Sequence, residues 1–278
     1  MNLPVFTSLT GAIAVDLDGT LLNSRTELTN RSRTALEACI DRKIPVIIAT
    51  SRPARIFDRI FPADLAEKCS FILMNGAKAI GNPPLSGSFC ESLPENILKG
   101  IIDCVKEHDP LTRITVEIDG YRFGTNQEID SATLWQRHAA TPEMVFSIDA
   151  AITKNPCKIA LGGTDVVKLT ETLAQRFAGS VSIVGSQLIR PLVNITSPAS
   201  TKPGALQKLL LPHGIPLSMV LAFGDDIPDI DMLQECGISV AMSNAFPEVK
   251  AVCRYETTSN DDDGVAVVLE KMLRETSG

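Results

Sequence analysis

The chain has 278 residues, 44% of them hydrophobic, which is enough to bury a large core in one large domain or two of ordinary size. Its formal net charge of -7 and isoelectric point near 5.1 argue against a general nucleic-acid binder, because binding to phosphate backbones depends on clustered Lys and Arg. The start of the chain lacks the pattern of a secretion signal, and no run approaches the ~20 apolar residues of a membrane helix. The sequence therefore predicts a folded protein with neither nucleic acid nor a membrane as its partner.

Seven cysteines are scattered through the chain without a Cys-x-x-Cys pair, and their odd number fits free thiols better than a disulfide framework. This usage predicts a reducing, cytoplasmic location. His108, His138 and His213 lie far apart in no ligand-like spacing, so a zinc site or a histidine nucleophile has little support.

The first predicted element is an apolar run at residues 12–15, which ends in Asp16 and is followed by Asp18 and Gly19. A buried parallel strand reads as a continuous apolar run, and ligand sites in open α/β sheets lie beyond the carboxyl ends of strands. Leu17 points the other way if the strand continues, so both aspartates can face one phosphate-sized site. Alone, an Asp-x-Asp-Gly segment is equally compatible with a hairpin turn or part of a calcium loop.

Helices and strands alternate after this run. Helical spacing predicts a helix over residues 29–43, and apolar runs predict strands at residues 44–49 and 71–74. Asn75-Gly76 follows the third strand, where a strand-end turn is favoured over a hairpin. The βαβαβ order predicts a parallel sheet wrapped by helices.

A turn-rich stretch at residues 81–88 is typical of a junction between domains. Mixed elements follow it: helices near residues 95–107, 129–138 and 165–177, and strands near 113–118, 121–124, 158–161 and 181–184. The βα alternation returns after residue 195, with helices near 203–211, 228–235 and 265–273 and strands at 219–223 and 238–242. We therefore predict a doubly wound, Rossmann-like α/β core formed by residues 1–82 and 190–278, with an inserted α+β domain at residues 83–189.

Polar side chains recur where the predicted core strands end or their helices begin. They are Asp16, Asp18, Thr50 with Ser51, Lys202, and the acidic residues Asp225, Asp226 and Asp229. Each alone has an ordinary explanation as a helix cap or a solvated charge. Together they fall on one edge of the predicted sheet, which indicates a functional site.

The chemistry of these residues fits one reaction. Clustered carboxylates repel one another unless a cation joins them, and Mg²⁺ prefers a few carboxylate oxygens together with waters and a substrate phosphate. Asp16, Asp18 and Asp225 would supply that site. An aspartate can attack phosphorus and form an aspartyl-phosphate when cations offset the repulsion, and Lys202 is the natural second cation. Proton transfer to the leaving oxygen suits Asp18.

Hydroxyl groups complete the predicted site. Thr20 and Thr50 can hydrogen-bond phosphoryl oxygens or hold the carboxylates. We assign Thr20, Thr50, Ser51 and Lys202 to the phosphate of the substrate, and Asp226 and Asp229 to support of the metal.

Four motifs carry a family resemblance: Asp16-Leu17-Asp18-Gly19-Thr20, Ala49-Thr50-Ser51-Arg52, Lys202-Pro203-Gly204, and Gly224-Asp225 with Asp229. Through them the chain resembles the haloacid dehalogenase superfamily of phosphohydrolases, and within it the Cof-type group, which has a large cap inserted after the third strand. The match spans nearly the whole chain. The resemblance implies a Rossmann-like core with an inserted α+β cap that selects the substrate.

Family analogy also implies residue roles. Asp16 is the implied nucleophile and Asp18 the implied acid and base. The metal is implied to be held by Asp16, the backbone carbonyl of Asp18, and Asp225. Asp229 is implied to support the metal or Lys202.

Four residues depart from the family pattern. Ser51, Pro203 and Ser243 stand where the group usually has Gly, and Pro228 stands where the fourth motif usually has Asn. Proline is compatible with the first turn of a helix, but its side chain cannot donate or accept a hydrogen bond. We therefore expect weaker support of the metal unless Asp226 compensates.

The leading hypothesis is a Mg²⁺-dependent phosphatase that acts on a small phosphorylated metabolite, such as a sugar phosphate, through an aspartyl-phosphate. A phosphomutase of the same superfamily would use the same intermediate but return the phosphoryl group to the substrate. A binding or regulatory module with a weakened site is the alternative from another class. The oligomeric state stays open.

The inserted domain offers candidate substrate contacts. Those for an anion are Arg113, Arg122, Arg137, Lys158 and Arg190, and those for stacking on a ring are Trp135 and Tyr121. Solvated charges and ordinary packing explain them at least as well.

Overall fold

The computed structural model describes residues 2–163, 166–186 and 192–277. By its internal contacts the chain divides into two compact units. The first unit comprises Met1–Ser51, Ile60–Phe89 and Thr201–Gly278, and the second comprises Arg52–Arg59 and Cys90–Ser200.

The strands belong to two sheets. They are β1 (Ala12–Asp16), β2 (Val46–Ala49), β3 (Ser70–Leu73), β4 (Lys78–Ile80), β5 (Ser88–Cys90), β6 (Arg113–Glu117), β7 (Phe123–Thr125), β8 (Val145–Phe146), β9 (Lys158–Gly162), β10 (Ser182–Ser186), β11 (Leu192–Thr196), β12 (Val220–Gly224), β13 (Ile238–Ala241) and β14 (Tyr255–Glu256).

Helices connect and cover these strands. They are α1 (Asn30–Asp41), α2 (Ala54–Ile60), α3 (Ala63–Ala66), α4 (Glu95–His108), α5 (Ser131–His138), α6 (Ile148–Ile152), α7 (Val166–Arg176), α8 (Lys202–Leu210), α9 (Ile230–Glu235), α10 (Pro247–Val252) and α11 (Gly264–Glu275). Short 3₁₀ turns include Met74–Gly76 and Ile227–Asp229.

An eight-stranded sheet, in the order β14-β13-β12-β1-β2-β3-β4-β5, organises the first unit. The strands from β14 to β3 run parallel, with Val15 of β1 in register with Phe223 of β12 on one side and with Ile48 of β2 on the other. Every residue of β1, β2, β3 and β12 is buried, as expected for parallel strands covered on both faces. The carboxyl ends of β1, β2 and β12 therefore meet at one edge of the sheet.

The turn after β3 corrects one sequence-based prediction. β3 and β4 pair in an antiparallel hairpin, with Leu73 opposite Lys78, so the preference for a strand-end turn over a hairpin at Asn75-Gly76 was wrong. Asn75 has a φ of 58°, a left-handed conformation that asparagine tolerates better than most residues. The chain can therefore reverse within the 3₁₀ turn at the end of the strand.

A six-stranded sheet, in the order β10-β11-β9-β6-β7-β8, organises the second unit, and most of its pairs are antiparallel. Its side chains alternate between two faces. Apolar residues such as Val116, Ile159 and Ile195 form a core with α4, α6 and α7. On the other face, which we call the polar face, cross-strand partners include Glu117 with Lys158.

The predicted fold class, a Rossmann-like α/β core with an inserted α+β cap, is confirmed. The sequence-based boundaries at residues 82/83 and 189/190 stay a prediction. The contact-based units differ from them because β11 pairs with β9 and β10, and because Arg52–Arg59 packs with the second unit. No helix among the described residues is long and apolar enough to cross a membrane.

Candidate active site

Three strand ends of the first unit bring the predicted catalytic residues together. Asp16 is the last residue of β1, Thr50 follows β2, and Asp225 follows β12. Because neighbouring parallel strands end at the same edge, these side chains converge there. Carboxylate oxygens of Asp16, Asp225 and Asp229 all lie within 4.8 Å of one another, an arrangement that could hold a metal ion.

A buried lysine joins two of these carboxylates. Lys202 is only 3% exposed, and its Nζ donates to Oδ1 of Asp16 at 2.6 Å and to Oδ1 of Asp229 at 2.6 Å. The backbone carbonyl of Ala49 accepts a third hydrogen bond from Nζ at 2.9 Å. All three donor positions of the ammonium are therefore engaged. The lysine bridges the nucleophile predicted from the first motif and an acidic residue of the fourth.

The start of α8 places this lysine at the site. The Thr201 side chain caps the helix by accepting from the N–H of Gly204, and Pro203 occupies the first turn. A proline is tolerated there because its missing N–H would have no partner within the helix. The departure from glycine at Pro203 is therefore compatible with the local structure.

Electrostatics within the cluster are strongly coupled. Burial, followed by the neighbouring Asp229 carboxylate, raises the pKa of Asp16 well above its usual value. Burial alone would lower the pKa of Lys202, but the charges of Asp16 and Asp229 outweigh it and raise that pKa. Burial also raises the pKa of Asp225 to about 7, against the hydrogen bond from Thr20. Three carboxyl groups share one ammonium, and a divalent cation would favour their ionised form.

The backbone of the first motif packs tightly against Asp225. Gly19 has a φ of +78°, and a Cβ at this position would clash with the Asp225 carboxylate. The Thr20 hydroxyl donates to Oδ1 of Asp225 at 2.6 Å. Nδ2 of Asn244 donates to the Gly19 carbonyl at 2.8 Å. A glycine is therefore required at residue 19 on both conformational and steric grounds.

The fourth motif forms a capped turn. Oδ2 of Asp229 accepts from the backbone N–H groups of Asp225 and Asp226, both at 3.1 Å. Oδ1 of Asp226 accepts from the N–H of Ile227 at 2.7 Å, and Pro228 lies within the first residues of the 3₁₀ turn. The two oxygens of Asp229 thus connect Lys202 to this loop.

A cavity of about 50 Å³ opens on the site within the first unit. It is lined by Asp16, Asp18, Ser51, Asn75, Lys202, Asp226, Pro228 and Asp229. Thr20 and Thr50 are 1% and 0% exposed, and Thr20 holds Asp225 through its hydroxyl. Of the two roles open to the hydroxyls, holding a carboxylate is thus the one that Thr20 performs in this structure. The assignment of these threonines to the phosphate stays a prediction.

Asn75 is a lining residue that sequence reasoning did not assign to the site. Its Oδ1 is buried and has no hydrogen-bond partner among the described residues. The signal was its position two residues after the end of β3, close to that of Thr50 directly after β2. A polar residue near the end of β3 could have been included on the same argument as the residues at the ends of β1 and β2.

The cationic candidates of the second unit have different environments. Arg113 and Arg137 line a second cavity. Lys158 is buried beside Glu117, and Nε of Arg122 pairs with Asp119 at 2.8 Å. Arg190 lies outside the described residues.

The two aromatic candidates both contact residues of α2. Trp135 is 56% exposed, and the guanidinium of Arg59 lies over its ring at 5.9 Å. The Tyr121 hydroxyl donates to Oδ2 of Asp58 at 2.9 Å. Burial and the Asp58 hydrogen bond raise the pKa of Tyr121 to about 12. Stacking on a substrate ring stays a prediction for both residues.

Comparison with known proteins assigns the family. Residues 13–269 match the family described as haloacid dehalogenase-like hydrolase. Two relatives from Bacillus subtilis, YitU and YwtE, are each named 5-amino-6-(5-phospho-D-ribitylamino)uracil phosphatase. YitU is 25% identical over 263 residues, covering 93% of this chain and 96% of the relative. YwtE is 26% identical over 282 residues, covering 94% of this chain and 97% of the relative.

A solved structure shows the same fold. The crystal structure of TM0651 from Thermotoga maritima is 25% identical, with a TM-score of 0.79 over 95% of this chain and 97% of that chain. The chain therefore belongs to the haloacid dehalogenase-like hydrolase family and is a phosphoric monoester hydrolase of the Cof type. Enzymes of this superfamily generally use a divalent metal, and the aspartate cluster offers the residues for one.

Proposed function

We propose that the protein is a Mg²⁺-dependent phosphatase that hydrolyses a small phosphorylated metabolite through an aspartyl-phosphate on Asp16. The observation that carries the proposal is the bridge from Lys202 to Asp16 and Asp229, beside Asp225, at the carboxyl edge of a parallel sheet. A binding module would have no need to bury an ammonium among three carboxylates, because burial of charge is costly.

The donor set fits Mg²⁺. Mg²⁺ takes oxygen ligands and is usually held by one or two carboxylates together with waters and substrate phosphate. Asp16 and Asp225 would hold it with the backbone carbonyl of Asp18, while Asp229 is occupied by Lys202 and by two backbone N–H groups. When bound, the cation stabilises negative charge on the phosphoryl oxygens and on the nucleophile.

The residues have complementary roles in the proposed reaction. Lys202 binds Oδ1 of Asp16 and fixes its orientation, which leaves the other carboxylate oxygen to attack phosphorus. Asp18 protonates the leaving alcohol as the phosphorus–oxygen bond breaks. In the second step Asp18 takes a proton from the water that attacks the aspartyl-phosphate, which releases phosphate and regenerates Asp16.

The geometry of the site and the names of the relatives support one class of substrate. The cavity of about 50 Å³ beside Asp16 and Lys202 can take a phosphoryl group. The names of YitU and YwtE describe action on a phosphorylated ribityl compound. This supports a small polyol or sugar phosphate as the substrate of the present chain.

A screen of phosphorylated metabolites for release of inorganic phosphate tests the proposal. We expect release from at least one sugar or polyol phosphate with Mg²⁺, its loss after chelation, and its recovery when Mg²⁺ is restored. Ca²⁺ should replace Mg²⁺ poorly, because its larger coordination number and longer bonds disturb the in-line geometry.

Three results would contradict the proposal or part of it. Isomer formation without phosphate release would identify a phosphomutase, and absence of turnover across the panel would favour a binding or regulatory module. Undiminished activity after thorough chelation would remove Asp225 from its proposed role.

A further inference from the structure

A second cavity, of about 310 Å³, lies on the polar face of the six-stranded sheet. Its sheet side includes Arg113 and Gly162, which are cross-strand partners, and its helix side includes Arg137 and His138 of α5. All of its lining residues belong to the second unit. The volume reaches the lower end of the range for small-molecule sites, which is roughly 300 Å³.

The two arginines of this cavity differ from other arginines of the same unit. The guanidiniums of Arg55, Arg122 and Arg176 pair with carboxylates. Within the described parts of the chain, those of Arg113 and Arg137 have no ion pair or hydrogen bond, although both line one concave surface. Guanidiniums at such a surface are suited to bidentate recognition of a carboxylate or phosphate.

Glycine at residue 162 allows Arg113 to lie flat on the sheet. A Cβ at residue 162 would be 3.0 Å from Nη2 of Arg113 and 3.4 Å from its Cζ. The guanidinium therefore occupies the space that a side chain at residue 162 would fill. The neighbouring Gly163 has no such contact, because its nearest atom would be 3.8 Å away, on Thr112.

A stacked, hydrogen-bonded network fixes the helix side. The His138 ring stacks on Phe123 with centroids 5.6 Å apart, and the Arg55 guanidinium lies 4.3 Å from the Phe123 centroid. Arg55 also donates from Nε to the His138 carbonyl at 2.9 Å and is paired through both terminal nitrogens with Glu117, at 2.6 and 2.7 Å. The network holds the end of α5, and with it the backbone of Arg137, in place before any ligand binds.

His138 contributes a neutral imidazole to the cavity. Burial lowers its pKa, and the positive charges of Arg55, Arg137 and Arg113 lower it further. At neutral pH the ring therefore supplies a hydrogen-bond donor and an acceptor instead of a third cation.

Two carboxylates also line the cavity, and one is used within the protein. Oδ1 of Asp130 accepts from the N–H groups of Ala132 and Thr133 at the start of α5, at 3.1 and 3.0 Å. Glu128 offers acceptor oxygens, and the hydroxyls of Thr115 and Thr125 line the same space. The surface around the two arginines thus suits a ligand that carries hydroxyl groups.

We propose that this cavity binds a hydroxylated organic anion, with its carboxylate or phosphate on Arg113 and Arg137 and its hydroxyls on the threonines and Glu128. The site is a binding site in its own right and does not depend on phosphatase activity.

Calorimetric titration with three hydroxylated carboxylates, D-gluconate, tartrate and citrate, tests the site at constant ionic strength. None carries a phosphoryl group for the catalytic site. D-sorbitol is the matched neutral control for gluconate. We expect at least one anion to bind with a Kd below about 1 mM and sorbitol not to bind. Arg113→Gln and Arg137→Gln should each weaken binding about tenfold, as expected for loss of a charge-assisted hydrogen bond.

Variants of two adjacent glycines separate the arginine contact from a general disturbance of the sheet. Gly162→Ala should shift the Arg113 guanidinium off the sheet by a few tenths of an ångström and weaken binding, but by less than Arg113→Gln does. Gly163→Ala should leave affinity unchanged. Circular dichroism and thermal unfolding confirm that each variant is folded. The proposal would be overturned if none of the three anions bound at concentrations up to about 10 mM. It would also be overturned if the double variant Arg113→Gln/Arg137→Gln bound an anion as tightly as the parent protein does.

Phosphatase assays then show whether the cavity binds part of the phosphatase substrate or a separate ligand. If the cavity accepts part of the substrate, the bound anion should inhibit phosphate release competitively. If it accepts a separate ligand, the anion should bind equally well in the presence of saturating substrate. Either outcome supports the site, and failure of the phosphatase proposal leaves the binding measurement intact.

Discussion

The two units use charge in opposite ways. In the first, Lys202 is 3% exposed and is saturated by Asp16, Asp229 and a backbone carbonyl. In the second, Arg113 and Arg137 are exposed at a cavity and have no ion pair within the described part of the chain. A buried charge must be compensated within the fold, whereas an exposed guanidinium can remain solvated until a ligand arrives.

This difference separates a site built for chemistry from one built for recognition. Fixed hydrogen bonds hold the carboxylates in place, which lowers the cost of reorganisation when a phosphoryl group reacts. In the second unit, the buried Arg55–Glu117 pair stabilises the structure around the cavity. The two guanidiniums that line the cavity have no ion pair within the described part of the chain. Four pairs of substitutions test the contrast.

The largest effect should come from Asp16→Asn. An amide cannot serve as the nucleophile, so kcat should fall by about a thousandfold or more, while circular dichroism shows a retained fold. Single-turnover measurements with the substrate found in the screen check this. Asp18→Asn is the companion variant, and it should also be severely impaired because an amide cannot transfer the proton. Near-normal turnover by Asp16→Asn would exclude the covalent mechanism.

Lys202→Met should reduce kcat by about a hundredfold to a thousandfold at saturating Mg²⁺, because the nucleophile and the phosphate lose a fixed neutralising charge. Methionine fills similar space, so the measurement is made on protein shown to be folded. Lys208→Met, on a later turn of the same helix, is the control for a general effect on α8. Equal kinetics for the parent and both variants would assign Lys202 a structural role only.

Sequence predicted the first unit best, for a physical reason. Buried parallel strands are continuous apolar runs, so β1 and β12 were visible, and the polar residues after them identified the edge where Asp16 and Asp225 meet. The hydrogen-bonded position of Thr20 against Asp225 could not be predicted, because it depends on two segments 205 residues apart.

Long-range pairing also explains what the sequence did not reveal in the second unit. Arg55 lies three residues after the second motif, and nothing local indicates that its partner is Glu117, 62 residues later. Residues 52–59 were therefore assigned to the core by the sequence but pack with the second unit. At Asn75-Gly76, the left-handed conformation of Asn75 produced a hairpin that apolar periodicity does not encode.

Arg55→Met tests the buried charge pair of the second unit. The Arg55 and Glu117 side chains are 4% and 6% exposed, so loss of the arginine leaves a buried carboxylate unpaired. We expect the free energy of unfolding to fall by about 3 kcal/mol in urea titrations. Arg122→Met is the matched control, because its pair with Asp119 is solvent-exposed and should change stability by no more than about 0.5 kcal/mol. Equal losses in the two variants would mean that burial does not set the strength of these pairs.

The smallest effect concerns Pro228, where the sequence departs from the family pattern inside the catalytic cavity. Pro228 and Asp226 both line that cavity, and Asp226 already accepts a hydrogen bond from the N–H of Ile227. If the proline side chain leaves the metal without an outer hydrogen-bond partner, Pro228→Asn should lower the Mg²⁺ concentration for half-maximal activity by about tenfold. Asp226→Asn keeps the capping oxygen but removes the charge, so it should raise that concentration if Asp226 compensates for the proline. Measuring the Mg²⁺ concentration for half-maximal activity in the parent and both variants decides between these two possibilities. If that concentration is the same in all three proteins, neither residue affects metal binding.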